Sequence, residues 1–335
     1  MIKFEVREND ANQRLDRFLK KLLRKAPLSM IYKMIRKDIK INGRRGKEDT
    51  MLAPGDELVF YMSEEKFEEL SEAVRKKPVR KQFKTVYEDD NILIVSKPRG
   101  LIIHGDAHEK KNTLVNQVTG YLQEKGYYDP TAEKTFAPAP VNRLDRNTTG
   151  LVIFGKNAMA LRLLTRLIRE RNCIGKYYMT VVVGRFDKSM VFGERLVKDS
   201  STNTVGVAYG EDGKEALTYV DPVMPGKKYS IVRIKLVTGR THQIRVHLSH
   251  AGFPLLGDPK YGTGSSSSRA AELGITTQLL HAYRLEFNNM PDEFAYLEGR
   301  SIEAPLPSEF ERIRKLIKAE ERQNRKDRKN YAETE

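Results

Sequence analysis

The sequence predicts an α+β protein, with a mixed, largely antiparallel β-sheet flanked by helices and loops, preceded by a small α/β unit of its own. Three observations predict this. Beyond residue 86 the chain is mostly short apolar runs separated by turn residues, with few helical stretches between them. That pattern belongs to an antiparallel sheet rather than to alternating βαβ units. The N-terminal stretch up to residue 61 carries two helical stripes and short strands with their own turns. Residues 62–85 then pass from an acidic block to a basic one around Pro78 without a sustained apolar face. At 335 residues, 39% hydrophobic and 31% charged, the chain is long enough for more than one core.

The elements follow in order. "MIKFEVREND" alternates apolar and charged residues and has no signal-peptide core. In "RLDRFLKKLLRK", Leu15, Phe18, Leu19, Leu22 and Leu23 form a helical stripe. Ser29 is the expected N-cap of a second helix that turns Met30, Ile31, Met34 and Ile35 inward. "IKINGRR" reads as a strand with an Asn-Gly turn, and "APGDELVFY" as a turn into another strand. Residues 62–85 are expected to be a mobile linker. The second domain, 86–318, opens with a strand at Ile92–Val95 that runs into a Lys-Pro turn. "LVIFG", "YYMTVVVG", "ALTYVDPV" and "YSIVRIKLVTG" read as further strands. A helix is expected from about Asn157, with Met159, Leu163, Leu164, Leu167 and Ile168 on one side. "TGSSSSRAAELG" reads as a flexible excursion and residues 319–335 as a frayed basic tail. No internal repeat is present.

The formal net charge is +15 and the pI near 9.6, which suits a polyanionic partner, nucleic acid first. From Arg14 to Lys47, thirteen Lys or Arg face only Asp16 and Asp38. Helix faces usually mix signs, so this one-signed run points to phosphate contact. The candidate contacts are Arg17, Lys20, Lys33, Arg36, Lys37, Arg44 and Arg45. Cys173 is the one cysteine, which excludes an internal disulfide and a cysteine-rich metal cluster. No apolar run approaches the ~18 residues of a membrane span. A soluble, cytoplasmic protein is expected.

Three stretches carry the chemistry. In "NRLDRNTTG" (142–150) two arginines flank Asp145 just before an apolar strand, which marks either a structural ion pair or a prepared reaction centre. "GKYYMTVVVG" (175–184) alternates as a strand, with Lys176, Tyr178 and Thr180 on one face. "LVTGRTHQIRVHLSHAGFPLLGDPKYG" (236–262) turns through Thr238-Gly239-Arg240 into a helix bearing Gln243, Arg245, His247 and His250. The spacing of His242, His247 and His250 lacks His-x-x-x-His with an adjacent Glu, and neither "GRRG" nor "GFPLLGDPKYG" has Walker spacing. Neither a metal nor another cofactor is expected.

Together these stretches, with "KPRGL" at 97–101, resemble the RluA family of pseudouridine synthases over about residues 86–290. Residues 12–60 resemble the αL RNA-binding module of a small-subunit ribosomal protein and of tyrosyl-tRNA synthetases. The resemblance implies a pseudouridine synthase fold and an isomerase that cleaves the bond from uracil nitrogen to ribose, turns the base and rejoins it through carbon. It implies Asp145 as the catalytic aspartate, with Tyr178 and Arg245 beside it. It further implies RNA contacts by Arg143, Arg146, Lys176, Arg240, His242 and Gln243. Asn142 stands where the family usually has histidine, which suggests tuning rather than loss of activity.

One carboxylate suits such a reaction. The ribose carbon becomes electron-poor as the bond breaks, and a carboxylate can meet it as nucleophile, base or electrostatic partner. A hydrolytic glycosidase would want a second carboxylate to activate water. The base must also leave its stack to reach a buried group. Large-subunit ribosomal RNA is the expected substrate, with transfer RNA, or a ribosome-binding factor with an inactive synthase domain, as alternatives. A monomer without an obligatory protein partner is expected.

Overall fold

Two sheets with separate cores organise the chain. The computed structural model describes residues 1–71, 79–199, 202, 204–208 and 212–332, with side chains described as far as Arg325 in the last helix. The first core is built from β1 (Ile2–Glu5), α1 (Leu15–Leu22), α2 (Leu28–Lys37), β2 (Ile39–Ile41) and β3 (Glu57–Phe60). The strands pair antiparallel in the order β1-β3-β2. The predicted stripe Leu15, Phe18, Leu19, Leu22 and Leu23 is fully buried there, with Ile31, Met34 and Ile35 of α2. The β2 turn is Asn42-Gly43 with φ of 48° and 77°, the left-handed pair a tight hairpin requires.

Two expectations change in this part. Helix α2 starts one residue before Ser29, behind Pro27, whose fixed φ of −62° sets the entry and whose carbonyl accepts from the Met30 and Ile31 N–H groups. Residues 62–85 are also not all connector. Helix α3 (Glu64–Ser71) puts Phe67 and Leu70 into the first core, with Phe67 edge-on to Phe60 at 5.2 Å. Two apolar residues in eight are too few for a periodicity to register, yet enough to dock one helical turn. Residues 72–78 lie outside the described residues.

The second sheet comprises β4 (Lys84–Glu88), β5 (Ile92–Lys97), β6 (Ala139–Pro140), β7 (Thr149–Gly155), β8 (Ile174–Val183), β9 (Met190–Phe192), β12 (Thr218–Met224), β13 (Tyr229–Leu236), β14 (Leu280–Phe287) and β15 (Ser301–Glu303), with β10 (Leu196–Asp199) and β11 (Thr204–Val207) as a separate hairpin. The main path runs β4-β5-β7-β14-β8-β13-β12-β9, and only β7–β14 pairs parallel. Helices α4 (Leu114–Glu124) and α5 (Ala158–Glu170) cover opposite faces of the β5–β7 half. Helix α6 (Gln243–His250) covers one face of β8–β13, and α7 (Gly264–Glu272) with α8 (Ser308–Ala332) covers part of the other. On α5, Leu163, Leu164 and Leu167 are buried as expected, but Met159 faces solvent and Ala160 takes the inner position.

The serine-rich stretch expected to be flexible is helix α7. Thr263 and Ser266 cap each other's backbone N–H groups reciprocally, and Ser266 and Ala270 are buried. The tail expected to fray continues α8 as far as Ala332; residues 333–335 lie outside the described residues.

Gly150 shows why the chain needs glycine there. Its φ is +109°, and a Cβ would sit 2.1 Å from the carbonyl oxygen of Ala282, so β7 and β14 can meet at this level only without a side chain. Next to it His281 is buried, sharing a 2.7 Å hydrogen bond between Nδ1 and the Thr149 hydroxyl, with Nε2 facing the Ala304 carbonyl. Burial pulls its pKa down to about 4. The unfolded chain therefore takes up this proton first as pH falls, and the stability His281 contributes is complete above its unfolded pKa near ~6.5 and lost between there and about 4. Replacing His281 with Gln should remove up to ~3 kcal/mol of the difference in unfolding free energy between pH 7 and pH 4, read by urea melts.

Polar contacts join the two cores. Asn9 accepts from the Ala158 N–H at 3.0 Å and donates to Glu133 at 2.7 Å, Arg162 donates to the Ala11 carbonyl at 3.0 Å, and Thr135 donates to buried Asp10. Ala158 follows the C-terminal end of β7, whereas Asp145 precedes its start. The first core thus docks roughly 20 Å along the strand direction from Asp145.

Candidate active site

The strand register builds the centre. Tyr178 on β8 pairs with Ala282 on β14, and Ala282 pairs with Gly150 on β7. One cross-strand row therefore brings Tyr178 to the level of the loop that carries Asp145. Helix α6 packs over Tyr178 through Ile244 and Leu248, which aims Arg245 at the same point.

The loop itself is held from two sides. Asn142 is buried, donating to the Leu151 carbonyl at 3.1 Å and accepting from the Ile153 N–H at 2.9 Å. It thereby acts as an extra rung of β7, and both ends of its amide are spent on backbone. Lys97 is 1% exposed and donates to the carbonyls of Pro98, Leu101 and Arg146 at 3.0, 2.8 and 2.9 Å. Burial lowers its pKa to about 7, and the Asp145 charge works the other way. Three carbonyl partners use all three N–H groups of the ammonium, a seat that a neutral amine cannot fill.

At the centre, Arg245 lies between two carboxylates. Nη1 donates to Asp145 Oδ2 at 3.0 Å, while Nε and Nη2 form a two-pronged pair with Asp258 at 2.7 and 2.8 Å. Asp258 is 2% exposed and also accepts from the N–H groups of Lys260 and Tyr261. Burial pushes its carboxyl up, but Arg245 and these amides more than offset that and hold it below the usual range. The Tyr261 ring lies 4.9 Å from the Arg245 guanidinium, and its hydroxyl shares a 2.7 Å bond with His242 Nδ1. His242 Nε2 is 3.9 Å from Asp145 Oδ2. Burial lowers the His242 pKa against the Asp145 charge, which works the other way, and this favours the neutral ring.

Asp145 itself is about a quarter exposed, and among the described residues only Oδ2 has partners. Oδ1 is free to meet a ligand. The Tyr178 hydroxyl likewise has no hydrogen-bond partner among the described residues, and burial followed by the Asp145 charge pushes its pKa well up. It presents a neutral phenol.

The arginines that flank Asp145 in sequence do not pair with it. Arg146 turns outward to Asp106 at 2.9 Å, and Arg143 is exposed. Both stand at the rim, as does His104, whose pKa is lowered by burial and by Arg143. Arg240 is tied to the Glu215 carbonyl at 2.9 Å. Two expected RNA contacts are internal. Gln243 is 2% exposed, with its amide spent on Thr238, Arg240, Leu217 and Thr218. Lys176 shares the Tyr178 face but is buried, its pKa lowered to about 8 by burial and then by Arg171. In the first core Arg17, Lys20, Lys33, Arg36, Lys37, Arg44 and Arg45 are all exposed, and none pairs with an acid among the described residues.

Residues 91–250 match the family described as RNA pseudouridylate synthase. The chain is 31% identical over 314 residues to ribosomal large subunit pseudouridine synthase C of Vibrio vulnificus, covering 92% of this chain and 94% of that one. It is 31% identical over 328 residues to ribosomal large subunit pseudouridine synthase D of Yersinia pestis, covering 94% of each. Among solved structures, human RNA pseudouridylate synthase domain containing 4 shares the fold with a TM-score of 0.52 at 20% identity, covering 67% of this chain and 88% of that one.

Proposed function

We propose, from the premise that this chain belongs to the RluA family of RNA pseudouridine synthases, that Asp145 is its catalytic group and that a uridine in large-subunit ribosomal RNA is its substrate. The observation that carries the proposal is the half-tethered carboxylate. Arg245 fixes one oxygen of Asp145, and the other is unpaired among the described residues, on a side chain 26% exposed near a neutral tyrosine.

The chemistry follows from that arrangement. As the glycosidic bond of an everted uridine breaks, positive charge develops at the ribose carbon, and Oδ1 of Asp145 meets it as nucleophile, base or counter-charge. Arg245 fixes the orientation of the carboxylate through its hydrogen bond to Oδ2, and Asp258 holds Arg245. Tyr178 takes the freed base against its ring while it turns. Its raised pKa favours this over service as a ready-made base. Arg143 and Arg146 at the rim suit the flanking phosphates or the gap left in the stack.

A second carboxylate is nearby, but it does not support hydrolysis. Asp258 is buried and fully committed to Arg245 and backbone amides, so it has no free oxygen with which to activate water.

The ribosomal assignment rests on the names of the relatives and on a second basic surface. We assign RNA binding to the exposed cations of the first core, in an N-terminal domain that α3 extends from the expected residue 61 to Ser71. Carried on a core separate from that of Asp145, that surface engages a large folded RNA better than a small one. Replacing Arg36, Lys37, Arg44 and Arg45 together with Gln should flatten the plot of log affinity against log salt by about 3, with the single-turnover rate at saturating enzyme unchanged. An unchanged slope refutes the assignment.

The substrate is tested by incubating the protein with unmodified large-subunit ribosomal RNA and, separately, with unmodified transfer RNA, and mapping pseudouridines. Conversion at discrete uridines of the ribosomal RNA is expected. Conversion confined to transfer RNA, binding without conversion, or release of free uracil would each contradict the proposal.

A further inference from the structure

Helix α8 carries a feature that catalysis does not use. It runs 25 residues, Ser308–Ala332, yet only Phe310, Ile313 and Ile317 of its described side chains are buried, in the core behind β8 and β13. The helix continues for fifteen residues past Ile317, roughly 22 Å, and none of its side chains described beyond that point is buried. A helix that is polar all round is normally held by mixed-sign pairs or by a partner.

The signs here are not mixed on the outward side. Lys315, Lys318, Arg322 and Arg325 recur at three- and four-residue steps, within about 80° of arc and turned away from the buried face. All four are exposed, and among the described residues none pairs with an acid. Glu311, the one acid in the same arc, lies at its N-terminal end and is paired with Arg314 at 3.4 Å. On the inner side Glu320 accepts from the backbone N–H groups of Lys227 and Lys228, which fixes the rotation of the helix. Lys318 and Arg322 are like charges at i, i+4, an arrangement that weakens an isolated helix. The fold tolerates that repulsion in order to display one sign.

The helix also starts beside the catalytic loop. Glu309 in its first turn pairs with Arg99 at 2.9 Å, and the next residue, Gly100, donates to the Arg146 carbonyl at 3.0 Å. Lys315 follows Glu309 by about 9 Å along the axis.

We propose that α8 is an RNA-binding rail, its outward cations contacting successive phosphates of the strand or stem that flanks the target uridine. This rests on the chain acting on RNA. It adds a contact surface distinct from both the Asp145 cleft and the basic face of the first core, and it requires RNA leaving the cleft to pass over the Arg99 turn.

The test uses full-length protein with Lys318, Arg322 and Arg325 replaced together by Gln, and in a second variant by Glu. The probe is unmodified large-subunit ribosomal RNA, with affinity measured across a potassium chloride series and conversion under single-turnover conditions. Circular dichroism and thermal melts check that both variants are folded. With three phosphate-binding cations neutralised, the salt slope of the Gln variant should fall by about 2 to 3, and its affinity near 0.1 M salt by about ten-fold or more. The Glu variant should bind more weakly still. Conversion at saturating enzyme should stay within about two-fold of the unaltered protein, because the Asp145 centre is untouched.

A folded Gln variant with an unaltered salt slope overturns the proposal. So does weaker binding to vesicles of anionic phospholipid with no change on RNA, which would assign the stripe to a membrane surface. Failure of the functional reading is separate: there the unaltered protein binds RNA without converting it, whatever the slope does.

Discussion

Replacing Asp145 with Asn should lower single-turnover conversion of uridine at saturating enzyme by at least ~10⁴-fold, while RNA affinity stays within about three-fold. The substitution keeps the shape of the side chain and its capacity to accept from Arg245. What it removes is the negative charge on the oxygen that faces the cleft. If the carboxylate meets an electron-poor ribose carbon, no remaining group replaces it, since Asp258 is buried and engaged and the neutral Tyr178 has no charge to offer. Asp145→Glu separates charge from position. It restores the carboxylate one methylene further out and should retain measurable activity, about 10²-fold below the unaltered protein. The protein should remain folded in both variants, because Arg245 keeps its two-pronged partner.

The second large effect is at that partner. Arg245→Met leaves Asp258 buried without its counter-charge, and unfolding free energy should fall by ~3–5 kcal/mol. Conversion should fall as well, because Asp145 loses the guanidinium that ion-pairs with it and sets its orientation. One variant cannot separate these two effects, but a double substitution can. In Arg245→Met with Asp258→Leu, both charges leave together, and most of the stability should return, since a buried pair replaced by apolar side chains is often neutral. Activity should not return, remaining about 10³-fold down, because nothing orients Asp145. Recovery of activity along with stability would reduce the ion network to scaffolding.

The parts of this centre differ in how far the sequence discloses them. Asp145, Tyr178 and Arg245 stand in compact motifs, and the fold brings all three together through one strand row and one helix. Adjacency in sequence misleads at Arg143 and Arg146, because neighbours in an extended loop point in different directions and the charge that holds Asp145 comes from α6. Asp258 escapes notice because its Gly-Asp-Pro setting reads as an ordinary turn. Only the fold brings that turn against Arg245, thirteen residues earlier. Lys97 sits in a motif, but its three-carbonyl seat depends on a loop 49 residues away. Gln243 reads as an RNA contact for the opposite reason: a polar residue beside the site is assumed to face out, and this one caps an internal network.

The helices show the same division. The stripe in α1 is legible because five large apolar residues share one face. Helix α7 hides in a serine run because its start is fixed by reciprocal hydroxyl caps, not by apolar periodicity. Helices α3 and α8 each bury two or three apolar residues in a long charged sequence, and the rest of their stability comes from what they dock against.

A structure of the Asp145→Asn protein bound to unmodified substrate RNA tests the role of Asp145 most directly. The target uridine should be turned out of its helix, with its ribose C1′ within about 3.5 Å of the residue 145 side chain and its base on the Tyr178 ring. A target uridine that remains stacked, or whose sugar lies against any other carboxylate, would contradict that role.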